Sequence, residues 1–200
     1  MKAFRVTVPA SSGNVGPGFD SMGLALNLNL KLEVKQQDEW EFTSPSTPEG
    51  QPFEDHFIYK VILQIAERYG KVPPPCSVTE TSSIPLARGL GSSASAIVAG
   101  IEIANQLCDL KLSAEEKLAA ATEIEGHPDN VAPALFGGLV ISTLIKDEID
   151  WIKCEPKNLH FVASIPDFEL TTKASRNVLP KTYTNEEAAL GSGISNLSTA

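Results

Sequence analysis

Leu24, Leu26, Leu28, Leu30, Leu32 and Val34 recur at every second position, with Asn27, Asn29, Lys31 and Glu33 between them. Successive side chains of a strand point to opposite faces, so this period predicts a long strand with one buried and one polar face. An antiparallel arrangement suits that asymmetry. Phe4, Val6 and Val8 alternate in the same way and predict a shorter strand that stops at Pro9. Farther on the period changes to a helical one. Phe57, Ile58, Val61, Ile62, Ile65, Ala66 and Tyr69 predict a helix capped by Asp55 and ended by Gly70, with His56 at the surface. Ala94, Ile97, Val98, Ile101, Ala104 and Leu107 form one apolar stripe, predicting a helix from about Ser92 to Cys108. Ser113-Ala-Glu-Glu116 reads as a capping box opening another helix that runs to about Glu125 and stops at Gly126.

Shorter runs fill the rest. A strand is expected around Ser77 to Thr81, beyond the stiff Pro73-Pro-Pro75 link. His127-Pro-Asp-Asn130 starts a short apolar turn, Val131 to Phe136, which Gly137-Gly138 ends. Leu139 to Ile145 reads as a buried strand, Trp151 to Lys157 as a link or weak strand, and Phe161 to Ile165 as a further core strand. Residues 43 to 54 and 170 to 180 read as connections, the second entering a short helix, and Gly191 to Ala200 as a loop with a first helical turn.

Composition narrows the function. The chain has 200 residues and 42% hydrophobic positions, enough for a real core. A net charge of −9 argues against nucleic acid as a partner, which would call for a basic patch. Small-molecule chemistry is left. Cys76, Cys108 and Cys154 are odd in number and form no Cys-x-x-Cys pair, so neither a disulfide framework nor a structural zinc site is expected. Reduced thiols suit a cytoplasmic protein. No leader-type segment is visible, and no apolar run approaches the roughly 20 residues that span a bilayer, so no membrane partner is expected.

The chemistry concentrates in Pro85-Leu86-Ala87-Arg88-Gly89-Leu90-Gly91-Ser92-Ser93-Ala94-Ser95. Glycines let a backbone approach a ligand closely, and the helix behind them offers unpaired N–H groups and the positive end of its dipole. Such a junction cradles phosphate. It is not a Walker A loop, because no lysine lies between Pro85 and Leu110. Arg88 and a magnesium ion are therefore expected to supply the positive charge. The same residues also describe a turn that merely caps a helix. A second loop, Ser11-Ser-Gly-Asn-Val-Gly-Pro-Gly-Phe-Asp20, packs three glycines and a proline, and loops of this kind often carry function.

Taken together, three segments resemble the signature motifs of the GHMP kinase family, most closely its homoserine-phosphorylating members. They are Val8-Pro-Ala-Ser-Ser-Gly-Asn-Val-Gly-Pro-Gly-Phe-Asp-Ser-Met-Gly23, the Pro85 to Ala96 loop, and Glu125-Gly-His-Pro-Asp-Asn-Val-Ala-Pro-Ala-Leu-Phe-Gly-Gly138. A fainter match runs from Ile165-Pro through Thr172-Lys-Ala-Ser-Arg176 to Leu179-Pro180. The resemblance implies an α+β fold of two domains. Residues 1–155 would form the N-terminal ATP-binding domain, and 156–200 the opening of a ferredoxin-like second one. The family's C-terminal Gly/Ser-rich motif is not found, so the chain is expected to stop short of the family's full length.

The resemblance also implies roles. The loop from Pro85 to Ser95 would hold the ATP phosphates, and Ser93 would bind Mg²⁺ together with Glu123, Glu125 being the alternative. Asn14, Asp20, His127, Asn130, Thr172 and Arg176 would line a pocket for L-homoserine, Arg176 facing its carboxylate and Asp20 its ammonium. Asn130 and Arg176 would be the catalytic pair. The adenine would lie near Asp55 to Tyr59, where His56 stands in place of the asparagine common in relatives. Many GHMP kinases carry an aspartate base at the position of Asn130. An asparagine takes no proton, so the implied reaction is direct attack of the homoserine hydroxyl on ATP, giving O-phospho-L-homoserine for threonine synthesis. A homodimer is the implied assembly. Kept beside this reading are a mevalonate- or shikimate-type kinase and a non-catalytic nucleotide- or metabolite-binding protein.

Overall fold

The structure, a computed structural model, describes residues 3–45, 52–146, 148–154, 160–165, 167 and 176–199. Its centre is β2 (Met22–Gln36), where the leucine alternation lies. On one flank β2 pairs with β1 (Ala3–Ser12), antiparallel along nearly its whole length. On the other it pairs antiparallel with β4 (Cys76–Ser82) through residues 30–36, and with β5 (Leu139–Ile145) through residues 22–24. A three-residue β3 (Glu41–Thr43) lies parallel to β4, and β6 (Glu148–Cys154) closes a hairpin on β5.

The sheet has one wet and one dry face, as the alternation requires. Lys31, Glu33 and Lys35 stay exposed, and Arg5 pairs with Glu33, its cross-strand neighbour, at 2.5 Å. Leu30, Leu32, Val34, Val6 and Val8 face inward and are buried. Against them pack α2 (Ser92–Cys108) and α4 (Pro128–Phe136). Helix α1 (Phe57–Arg68) flanks α2, and α3 (Ala114–Glu125) joins α2 to α4. Ile97, Ile101, Ile62, Ile65, Leu118 and Val131 fill the space between them, each at most 2% exposed. Burying a side chain of that size is worth about 1.5–3 kcal/mol before entropy is counted. Helix α3 opens with the expected capping box, the Glu116 amide donating to Ser113 Oγ at 3.1 Å and the Ser113 amide to Glu116 Oε2 at 2.8 Å.

Several expectations are corrected. β1 does not stop at Pro9. It runs on to Ser12, with a register shift between Pro9 and Ala10, because an edge strand tolerates a residue that cannot donate. Asp55 does not cap α1; it sits in a 3-10 turn, Phe53–Asp55, and the helix begins one residue after His56 without a side-chain cap. His56 is not at the surface: it is 8% exposed, with its ring stacked on Phe42 at 4.6 Å. Only Val140 and Ser142 of β5 are buried, and Leu144 and Ile145 are exposed. Phe161 to Ile165 forms no strand, and Phe161 and Val162 are exposed. No described strand lies beside them to supply a ladder.

The last helix, α5 (Asn185–Thr199), passes straight through Gly191 and Gly193, which the sequence reading assigned to a loop. Its start is fixed by Thr184 and Glu187, each donating its amide to the other's side chain. That is a second Thr-x-x-Glu capping box, and the signal lay in the sequence.

Candidate active site

Three chain segments converge at the first turn of α2. The Gly-rich loop approaches it with Ala87, Gly89 and Gly91 all at positive φ. At Gly91 both conformation and space demand glycine: φ is +65°, and a Cβ would lie 2.1 Å from Ser11 Oγ and 3.1 Å from Asn130 Oδ1. The loop leans on β1, the Ser11 amide donating to the Leu90 carbonyl at 3.2 Å.

Within this loop the residues divide. Leu90, Ala94 and Ser95 are buried. The Ser95 amide donates to the Gly91 carbonyl, and its hydroxyl donates to the carbonyls of Pro9 and Gly91. Ser95 therefore holds α2 against β1 and has no donor left for a phosphate, which corrects its expected ligand role. Pro85, Leu86, Arg88, Gly89, Ser92 and Ser93 retain exposure. The Arg88 guanidinium reaches the main-chain carbonyls of Ala87 and Asp167.

Ser93 Oγ donates to Glu125 Oε2 at 2.9 Å. Glu123, the expected second metal ligand, lies elsewhere: it pairs with Arg68 of α1 at 2.7 Å. Two residues along a helix turn by roughly 200°, so only one of the two glutamates can face α2. Glu125 does. Burial pushes its carboxyl above the usual carboxylate range, and the Ser93 bond and nearby His127 oppose that shift.

The second segment is the turn into α4. His127 occupies the N-cap, and Pro128 sits at the first helical position, where its missing N–H costs nothing. His127 Nδ1 is hydrogen-bonded to Asp129 Oδ1. That bond is the main reason the imidazole holds its proton above the ordinary histidine value, with burial acting in the opposite direction. Asp129 is wholly buried, and its other oxygen accepts the Asn14 amide at 3.1 Å. Asn130 Oδ1 accepts from Ser11 Oγ at 3.1 Å.

The third segment is the loop between β1 and β2. It lies so close to α4 that a Cβ at Gly13 would fall 2.1 Å from Asp129 Oδ2 and 2.5 Å from Asn130 Nδ2. Asn14 and Asp20 both adopt φ of +54°, and Asn14 Oδ1 accepts the Asp20 amide at 2.9 Å. Arg176 reaches Asp20 through both terminal nitrogens, at 3.0 and 2.5 Å, and lies 5.3 Å from the Phe19 ring centroid. The two residues expected to divide a zwitterion's charges thus hold one another. Ligand-type atoms of Asp20, His127 and Asp129 come within 4.8 Å of one another, with Arg176 paired to Asp20 beside them.

Asn14, Asp20, His127, Asn130 and Arg176 are therefore brought together. Thr172 lies outside the described residues. Asp129 and Ser11 were given no role of their own, because a first-turn aspartate ordinarily only caps a helix and a serine at the head of a glycine-rich loop carries no distinctive signal. Beside the loop a cavity of about 440 Å³ runs from Ser92 and Ser93 between Leu30, Ile58, Ile84, Leu86 and Ala96 to the side chains of His56 and Glu80. Its size suits a nucleoside. Its lining includes Asp55 to Ile58, part of the Asp55 to Tyr59 segment that the resemblance assigned to adenine.

The chain is similar to known proteins over nearly all its length. The family described as "GHMP kinases N terminal domain" matches residues 56–138. A homoserine kinase of Oceanobacillus iheyensis is 56% identical over 200 residues, which is 100% of this chain and 67% of that protein. One from Halalkalibacterium halodurans is 47% identical over 97% of this chain and 63% of its own length. The solved structure of a putative homoserine kinase from Listeria monocytogenes superposes with a TM-score of 0.79 at 39% identity, over 98% of this chain and 66% of that one. The chain thus spans about two thirds of the length of the relatives it matches. On motifs, fold and identity alike, the chain belongs to the GHMP kinases, and within them to the homoserine kinase family.

Proposed function

We propose that this protein transfers the γ-phosphoryl group of ATP to the hydroxyl of L-homoserine, releasing ADP and O-phospho-L-homoserine. The observation that carries this reading is the position of Asn130. It borders the phosphate-type loop at Gly91 and the charged pocket behind Gly13, so it stands where the two substrates would meet. The names of the relatives supply the alcohol.

In this reading the triphosphate lies along the loop amides at the dipole end of α2, and the base enters the adjoining cavity. Homoserine's ammonium takes over from Arg176 at Asp20, and its carboxylate takes over from Asp20 at Arg176. One ion pair becomes two, so little charge is desolvated without a partner. Asn130 orients the hydroxyl. Its oxygen bonds to the γ-phosphorus as the bond to ADP breaks, and the hydroxyl proton passes to an oxygen of the transferred phosphoryl group and then to solvent. Acceleration comes from orientation and from fixed donors around the phosphoryl group, with no side-chain base.

Ser93 and Glu125 fit a divalent cation. They offer two oxygen donors 2.9 Å apart, the ligand type that magnesium takes. Partial burial raises the pKa of the Glu125 carboxyl, a cost that a cation would offset. Bound there, Mg²⁺ supplies positive charge to the phosphate oxygens. The finer expectations belong to the same reading: an ATP-binding domain to residue 155, the opening of a second domain after it, and a cytoplasmic homodimer.

The test is ADP release with L-homoserine, mevalonate and shikimate as acceptors. Turnover dependent on L-homoserine alone is expected. Turnover with either of the other alcohols would move the assignment within the family, and ATP binding without turnover would make this a binding protein.

A further inference from the structure

Asp129 lies beneath the acceptor side of the site and is wholly buried, so no ligand touches it. Its carboxylate meets donors from two different elements. One oxygen is bonded to the ring Nδ1 of His127, and the other accepts the Asn14 amide at 3.1 Å. The loop from β1 to β2 is also pressed on Asp129 at both ends. A Cβ at Gly13 would run into the carboxylate, and one at Gly23 into the main-chain carbonyl of Asp129. Held on both sides in this way, the carboxylate cannot turn away from His127.

Resting on the homoserine reading above, we propose that Asp129 is a positioning residue for the acceptor: it holds His127 in the tautomer that leaves Nε2 as the nitrogen to meet the substrate. A carboxylate only accepts hydrogen bonds, so the ring nitrogen facing it carries a proton whether the imidazole is neutral or charged. In the neutral ring Nε2 is then a lone pair. Asparagine at position 129 would keep the shape but offer one acceptor in place of two. The Asn14 amide can only donate, whereas the ring can move its proton. The new amide oxygen therefore stays on Asn14, and its NH2 turns to His127 and draws the proton to Nε2. That reverses the polarity the pocket presents to the acceptor. The main chain from Arg88 to Ser93, where the triphosphate would lie, makes no part of this change.

Nitrogen NMR of the three histidine rings reads the tautomer directly, at a pH where His127 is neutral and with His127→Gln to assign its signals. Native protein is expected to show a protonated Nδ1 and a bare Nε2, and Asp129→Asn the reverse. In the same buffer, calorimetric titration of the full chain should give at least about tenfold weaker L-homoserine binding in Asp129→Asn, with ATP affinity kept within about threefold. A bare Nδ1 in the native ring would overturn the proposal. So would a proton that stays on Nδ1 in the variant, or an unchanged L-homoserine affinity. An equal fall in both affinities would also overturn it, since that marks a general structural role. If the variant does not fold, the native spectrum still decides. A native chain that binds ATP but no L-homoserine would instead overturn the homoserine reading, and this inference with it.

Discussion

Asp129 organises the site from beneath. Its buried carboxylate grips His127 on one side and the Asn14 amide on the other, so one residue sets two walls of the proposed substrate pocket. The sequence hid this role. An aspartate in the first turn of a helix ordinarily just complements the dipole, and its burial depends on a loop more than a hundred residues away in sequence. The same pairing makes stability depend on pH. Because the Asp129 bond raises the His127 pKa above its ordinary 6.5, the folded chain binds that proton more tightly than the unfolded one. The stabilisation is then fully present below the ordinary value and is lost as pH rises through the raised one. Denaturant unfolding from about pH 5 to about pH 8.5 should show the gap between native protein and His127→Gln narrowing as pH rises. A gap independent of pH would contradict the pairing.

Among the elements, the loop entering α2 and the C-terminal end of α3 matter most. The stripe from Ala94 to Leu107 foretold α2, and the alternation of leucines foretold β2, because both are long and each presents a whole face to one core. Short or locally patterned pieces were harder to read. β3 has three residues and no period, and α5 contains two glycines that outweighed its capping box. Which of Glu123 and Glu125 meets Ser93 turned on where α3 faces α2, a tertiary fact that spacing alone leaves open. Gly91 and Gly89 separate conformation from crowding. Both have positive φ, yet a Cβ at Gly89 would meet nothing within 4 Å, while one at Gly91 would strike Ser11. Gly89→Ala should cost about 1 kcal/mol of stability through backbone strain, and Gly91→Ala more, about 2–3 kcal/mol, with at least tenfold weaker ATP binding. Urea unfolding and nucleotide titration would measure both. Equal costs would mean that Ser11 and Asn130 do not fix the loop.

The whole molecule carries a net charge of −9, yet the proposed substrate ATP is itself strongly anionic. Charges beyond about 10 Å are screened at ordinary salt, so the balance is local. There the site offers helix-terminal amides, Arg88 and a Ser93–Glu125 pair suited to a cation. Among the described residues no helix is long and apolar enough to cross a membrane. The motifs made the family legible from the sequence, while the meeting of their three loops around Asn130 became visible only in the fold.

The measurement that bears most directly on this account is a crystal structure with magnesium and a non-hydrolysable ATP analogue. The triphosphate should lie against the main chain from Arg88 to Ser93, with the metal touching Ser93 Oγ and Glu125. A nucleotide bound elsewhere, or a metal held by Glu123, would contradict it.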